Sequence, residues 1–173
     1  MILIRGMNCI VLGLVYIKHF LLVTLCTDKL ILKNVLKITP FQKLRRRIWR
    51  KLGNILGEGA YINNSLNLLD ADDLDVNIIL GNRVATAPGV TFITDSGPNN
   101  SIIGKSEKCS RYIRKGTIEV GDDTWIGANV VIQPGIKIGK CCIIGSMSNV
   151  TKDIPDYSLA YGNPAKVVRR VEL

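Results

Sequence analysis

The chain carries one histidine, His19, in 173 residues. A zinc centre built on three histidines therefore cannot come from a single copy, and no imidazole is available beyond position 19 for acid–base chemistry. Aromatic residues are scarce, 6% against 47% hydrophobic overall, so the core must be made of Ile, Leu and Val rather than large rings. The five cysteines (Cys9, Cys26, Cys109, Cys141, Cys142) show no metal-ligand spacing. An odd number without a framework argues against a disulfide scaffold and for reduced thiols in a cytoplasmic setting. Cys141 and Cys142 are adjacent, so on a strand one faces the core and the other the surface. A membrane span needs about 20 nearly unbroken apolar residues. The apolar run 7–26 is interrupted by Lys18 and His19, and Thr24-Leu25-Cys26 makes a poor leader cleavage site. It reads as a helix or helical pair packed on protein or lying on lipid.

Acidic residues are almost missing from the first 52 positions, where eleven Lys and Arg face Asp28 alone, a net of +10. Residues 53–173 balance twelve basic against thirteen acidic side chains, a net of −1. The densest basic stretch, Lys43 to Lys51, places Phe41, Leu44, Ile48 and Leu52 on one helical stripe. Thr39-Pro40 suits its start and Gly53 its stop. This helix can cap the structure that follows or lie on an anionic membrane surface. Nucleic acid is not an expected partner, since no binding module accompanies the charge.

What the chain does have is a six-residue period. Val120, Ile126, Ile132, Ile138 and Ile144 recur at that interval, and Gly follows at 121, 127, 139 and 145. Neither a helix nor a plain strand has this period, whereas a parallel β-helix does, one short strand and one corner per hexad. The aliphatic residue fills the axis. The glycine suits a corner, through positive φ or close backbone approach. An upstream run, Leu56, Ile62, Leu68, Leu74, Leu80, Thr86 and Phe92, keeps the interval. Phe92 and Val120 are 28 positions apart, which breaks the phase. The polar, charged stretch 95–116 is therefore expected to leave the column as an extruded loop. About four coils of three hexads remain. The predicted organisation is a helical segment at 1–52 followed by an all-β column at 53–173.

The stretch from Ile126 to Lys140, then Ile144-Gly145, Val150 to Pro155 and Gly162 to Val168, closely resembles the hexapeptide-repeat acyltransferases. The nearest branch is the maltose/galactoside O-acetyltransferase group and its relatives in polysaccharide biosynthesis. The resemblance covers 53–173. It implies a left-handed parallel β-helix, an exception to the usual crossover hand, assembled as a homotrimer with sites between subunits. It further implies acetyl-CoA or another acyl-CoA as donor, a sugar or other small alcohol or amine as acceptor, and no metal.

Particular residues follow from that likeness and from their own chemistry. Gly127-Ala128 and Gly145-Ser146 are expected to leave backbone groups open to the amides of a pantetheine arm. Trp125 precedes an inward residue, so it should point outward, either flanking the thioester or packing on a neighbouring subunit. Thr151, Lys152 and Lys166, with Arg169 and Arg170, offer a hydroxyl and cations to CoA phosphates. Asn163-Pro164 forms a turn that can rest on the adenine. Met147 stands where the family prefers a small residue. The family's catalytic base is a histidine in a Thr-Gly-His-Pro stretch. Ungapped alignment on Val84, Pro88, Val90, Thr91 and Pro98 puts Gly97 in its place. Asp95, two residues earlier, is the candidate substitute base, and Asn67 the candidate for holding the acceptor. The competing expectation is a weakly active or inactive homologue serving as a binding or assembly module.

Overall fold

The computed structural model describes residues 2–69, 71, 74–98 and 101–173, with side chains from residue 12 onward; Cys9 is thus outside the described side chains. Three parallel sheets wrap one axis. Face A is built from Ile55–Leu56, Ile78–Leu80, Ile118–Val120 and Lys137–Ile138. Face B runs from Ala85–Thr86 through Trp125–Ile126 and Ile143–Ile144 to Ser158–Gly162. Face C comprises Asn67–Leu69, Thr91–Ile93, Val131–Ile132 and Asn149–Val150. Trp125 pairs in register with Ile143, 18 residues on, so a regular coil is three hexads. Val120, Ile126, Ile132, Ile138, Ile144 and Val150 are all buried along the axis.

Two demands that the sequence reading assigned to one glycine are divided between two positions. The glycine directly after the inward residue serves close approach: a Cβ on Gly121 would sit 2.6 Å from Lys140 N, and one on Gly127 would sit 2.7 Å from Ile144 O. Positive φ falls two residues later, at Gly59, Arg83, Asp123, Cys141 and Tyr157 between faces A and B, and at Gly89, Asn129 and Met147 between B and C. Cys141 is therefore in a corner rather than on a strand, while Cys142 next to it is buried.

The upstream coils depart from the ideal count in an instructive way. Ile55 pairs with Ile79, 24 residues later. The extra hexad is a detour between Leu69 and Ile78; Leu74 lies in it, half-buried and outside any strand, and does not fill the axis as its phase suggested. Thr86 does sit in the core. Its Oγ1 donates to Tyr61 O (3.1 Å) and accepts from Asn63 N (3.0 Å), so the buried hydroxyl is satisfied. Ala85 pairs with Trp125, 40 residues on, which is one coil plus the 22 residues of 95–116. That segment leaves the column at an antiparallel bridge between Asp95 and Lys115. It carries helical turns at Ile102–Lys105 and Glu107–Tyr112.

Three helices, α1 (Ile2–Leu25), α2 (Lys29–Ile38) and α3 (Gln42–Lys51), precede the column. Thr39 caps the end of α2 instead of opening the next helix, and α3 starts at Gln42. Leu44, Ile48 and Trp49 of α3 are buried, and the Trp49 ring meets Phe92 edge-on with centroids 6.0 Å apart. Arg45 is also buried. Its Nε donates to Ile62 O (2.9 Å) and its guanidinium to Thr39 O (2.6 Å), so it ties the helix to the first coil; desolvation draws its pKa below the usual guanidinium value. Lys51 Nζ closes the end of α1 by donating to the carbonyls of Thr24 (2.9 Å) and Cys26 (3.0 Å). Among the described residues no helix is long and apolar enough to cross a membrane. At the far end, Ser158–Gly162 turns back as an antiparallel hairpin with Ala165–Arg170.

Candidate functional site

The corner between faces B and C stacks Ala128, Ser146 and the Gly162-Asn163 turn above one another. Ser146 Oγ accepts the Ala128 N–H (3.1 Å), and Met147 N donates to Ala128 O (2.8 Å). Three of the four backbone N–H groups that the sequence reading expected to be open, those of Gly127, Ala128 and Gly145, are engaged within the chain. Gly127 N donates to Ile144 O (2.8 Å) and Gly145 N to Ala160 O (2.9 Å), so both belong to the ladder between coils. The glycines set coil spacing, not access. What this edge offers a ligand is the exposed Ser146, whose O–H remains able to donate, and the Met147 side chain, 71% exposed.

Trp125 points outward on face B and is 56% exposed. With Ile143, Cys141, Val171 and Leu173 it lines a cavity of about 390 Å³. The tail holds this wall in place through Val171 N, which donates to Tyr157 O (2.7 Å). Burial pushes the Cys142 thiol pKa up, which makes this residue a packing group rather than a thiolate nucleophile.

The remaining candidates lie on face C and at its margins. Asn67 Nδ2 donates to Thr91 Oγ1 (3.3 Å) one coil along. Asp95 is half-buried at the base of the loop. Its Oδ1 accepts the Gly97 N–H (2.7 Å) and its Oδ2 lies 3.4 Å from Lys115 Nζ. Thr151 is half-buried just beyond the last face C strand, and Lys152 beside it is exposed. Lys166 is exposed on the hairpin, opposite Tyr161. Ala128, Ser146 and Asn163 thus gather at one edge, Asn67 and Asp95 belong to face C and its margin, and Trp125 belongs to face B. The cavity at Trp125 includes none of the residues of the other two groups.

Gln133 and Asn149 escaped the sequence reading. Gln133 Nε2 donates to Asn149 Oδ1 (3.0 Å), and Asn149 Nδ2 donates to Asn163 Oδ1 (3.1 Å). The available signal was phase: both flank inward residues, Ile132 and Val150, at positions the pattern turns outward. Among the described residues no group of three or more His, Cys, Asp or Glu side chains is arranged to hold a metal ion.

Residues 117–152 match the family described as bacterial transferase hexapeptide (six repeats). A galactoside O-acetyltransferase of Lactococcus lactis is 40% identical over 115 residues, 66% of this chain and 52% of that protein. A maltose O-acetyltransferase structure from Clostridium difficile superposes with a TM-score of 0.56 at 27% identity, covering 84% of this chain and 85% of the other. A galactoside acetyltransferase solved in complex with coenzyme A gives 0.59 at 25% identity, covering 83% and 79%. The chain carries the hexapeptide repeat of this family over residues 117–152, and its column is a left-handed parallel β-helix like those of these structures. It spans about half the length of the curated relatives it matches.

Proposed function

We propose that the chain is an acyl-CoA-dependent transferase, most simply an acetyltransferase, that acylates a hydroxyl or amine of a sugar or saccharide precursor. In this reading it works as a homotrimer, with each site completed between subunits. The observation that carries the reading is the stacked edge of Ala128, Ser146 and Asn163, with Lys166 on the adjoining hairpin, in a chain that is 40% identical over 115 residues to an O-acetyltransferase. A homotrimer also resolves the separation of the candidate groups, because the face B wall with Trp125 can meet the face C margin of a neighbouring copy.

The donor would lie along the edge between faces B and C. Ser146 Oγ donates to a pantetheine carbonyl, while Lys152 and Lys166 face phosphate oxygens. Trp125 flanks the thioester, and Asn67 holds the acceptor. Acceptor oxygen or nitrogen attacks the thioester carbonyl; its proton passes to Asp95, the carbon–sulfur bond breaks, and the thiolate leaves as CoA after taking a proton. A carboxylate is a weaker base than imidazole, so proximity carries more of the catalysis than it does with a histidine in place.

The test combines acetyl-CoA calorimetry with thioester loss measured against a panel of sugars and aminosugars. Saturable binding with turnover supports the reading. Asp95→Asn should then lower kcat at least tenfold with donor affinity kept. Binding without turnover against any acceptor favours the second reading, a non-catalytic binding or assembly module, which the Gly97 replacement motivates. A further proposal concerns the helices. Leu14, Ile17, Leu21 and Leu25 form an exposed apolar stripe on α1 beside a strongly basic segment, a pattern suited to an anionic membrane surface. Flotation with anionic but not neutral vesicles supports that contact, and its absence on both removes it.

A further inference from the structure

Gln133, Asn149 and Asn163 come from three separate passes of the chain: the end of one face C strand, the next strand of that face, and the turn of the C-terminal hairpin. Their side-chain amides form one directed chain, Gln133 Nε2 to Asn149 Oδ1 at 3.0 Å and Asn149 Nδ2 to Asn163 Oδ1 at 3.1 Å. Ser148 makes a second, parallel tie. Its Oγ accepts the Gly162 N–H (3.1 Å) while donating to Gly145 O (2.6 Å). Two successive residues of the last coil, Ser148 and Asn149, therefore hold two successive residues of the hairpin turn. The hexad does not require this, since residue 149 faces outward in a row otherwise filled by Val131, Thr91 and Asn67.

Direction is the informative part. An asparagine side chain has one accepting oxygen and one donating NH₂. Asn149 occupies the oxygen of Asn163, so the exposed Asn163 turns its donor end outward. We infer that Gln133 and Asn149 are positioning residues that hold Asn163 with its NH₂ toward an acceptor atom on the nucleotide half of the acyl donor, a ring nitrogen or a phosphate oxygen. The inference rests on the edge between faces B and C being the donor groove.

Asn149→Asp tests it at nearly constant size. A carboxylate cannot donate to Asn163 Oδ1, so the Asn163 amide turns to donate inward and presents its oxygen to the ligand. The expected result is a KM for acetyl-CoA raised about tenfold, the loss of one well-made hydrogen bond, with a change in kcat of less than about threefold. S-acetylpantetheine, which lacks the nucleotide, should show no change in KM. Gln133→Leu, which leaves the Asn149–Asn163 bond formed but unoriented, should raise the acetyl-CoA KM about threefold, and it remains informative if the first variant does not fold. Equal effects on both donors, or none on either, would overturn the inference while leaving the transferase reading intact. Failure of the unmodified protein to bind CoA would remove both.

Discussion

Coil spacing is the physical constraint on which the column depends, and substitution of glycine tests it directly. Adjacent coils are held at strand separation, about 4.8 Å, and Gly121 N donates to Ile138 O across that gap at 2.8 Å. A methyl on Gly121 would lie 2.6 Å from Lys140 N, 2.7 Å from Gly139 C and 3.0 Å from Gly139 O, all backbone atoms that cannot rotate away. The coils must part by most of an ångström, which sacrifices the bridging hydrogen bond, worth about 0.5–1.5 kcal/mol, and adds an overpacking cost of about 1–3 kcal/mol. Gly121→Ala should therefore destabilise by about 2–4 kcal/mol. Gly135 is the control. Its φ is +74° but the nearest atom to a new Cβ is 3.9 Å away, so only the left-handed strain applies. That strain costs about 1–2 kcal/mol, partly offset by the smaller entropy of the unfolded alanine chain. In a 173-residue chain, a cost of 1 kcal/mol moves the melting midpoint by about 2–4 °C. Thermal unfolding at one fixed protein concentration should show Gly121→Ala melting about 4–15 °C lower and Gly135→Ala about 2–4 °C lower. Equal shifts, or a larger one for Gly135, would refute the division of labour between close approach and positive φ.

The same reasoning runs in reverse at Met147, which holds φ +63° with a side chain open to solvent. Met147→Gly should leave stability unchanged or raise it by about 0.5 kcal/mol, read by urea denaturation. Arg45→Met leaves the carbonyls of Ile62 and Thr39 without their guanidinium partner, and should cost about 2–4 kcal/mol by the same measurement. Brief alkylation of the native protein, followed by peptide mass mapping, should modify the half-exposed Cys141 and Cys109 and spare the buried Cys142. Acid should weaken the fold. Hydrogen bonds from Asn82 lower the Asp122 pKa, and the Arg83 guanidinium lowers that of Asp123. Carboxylates with a depressed native pKa stabilise above their unfolded value, near 4, and lose that contribution as pH falls through the native value. The urea midpoint should drop on acidification below about pH 4, and less steeply in an Asp122→Asn, Asp123→Asn double variant.

The period of six was enough to identify the three-sided column, because an inward residue at every sixth place has only one way to bury itself on all faces. Ile126, Ile132, Ile138 and Ile144 are buried as that rule requires. The loop was legible for the same reason: a separation of 28 positions between Phe92 and Val120 is not a multiple of six, and the mismatch can be absorbed only by chain that leaves the coil. Leu74 shows the limit of the rule. A detour one hexad long preserves phase, so periodicity cannot distinguish it from a hexad that fills the axis. The likeness of the tail to a transferase family was carried by local motifs, and these need no tertiary information.

Contacts between coils were decided elsewhere. Gly127 and Gly145 look like openings when only neighbours in sequence are considered; the coil stacked against them takes their amides. The link from Gln133 through Asn149 to Asn163 joins residues 16 and 14 positions apart, and its direction depends on which amide end meets which. By itself the sequence determined which side chains point to the axis, since alternation along a strand is a local property of the backbone. Only the tertiary structure decided which polar groups are already spent on one another, because hydrogen-bond partners are set by the stacking of coils and not by order along the chain.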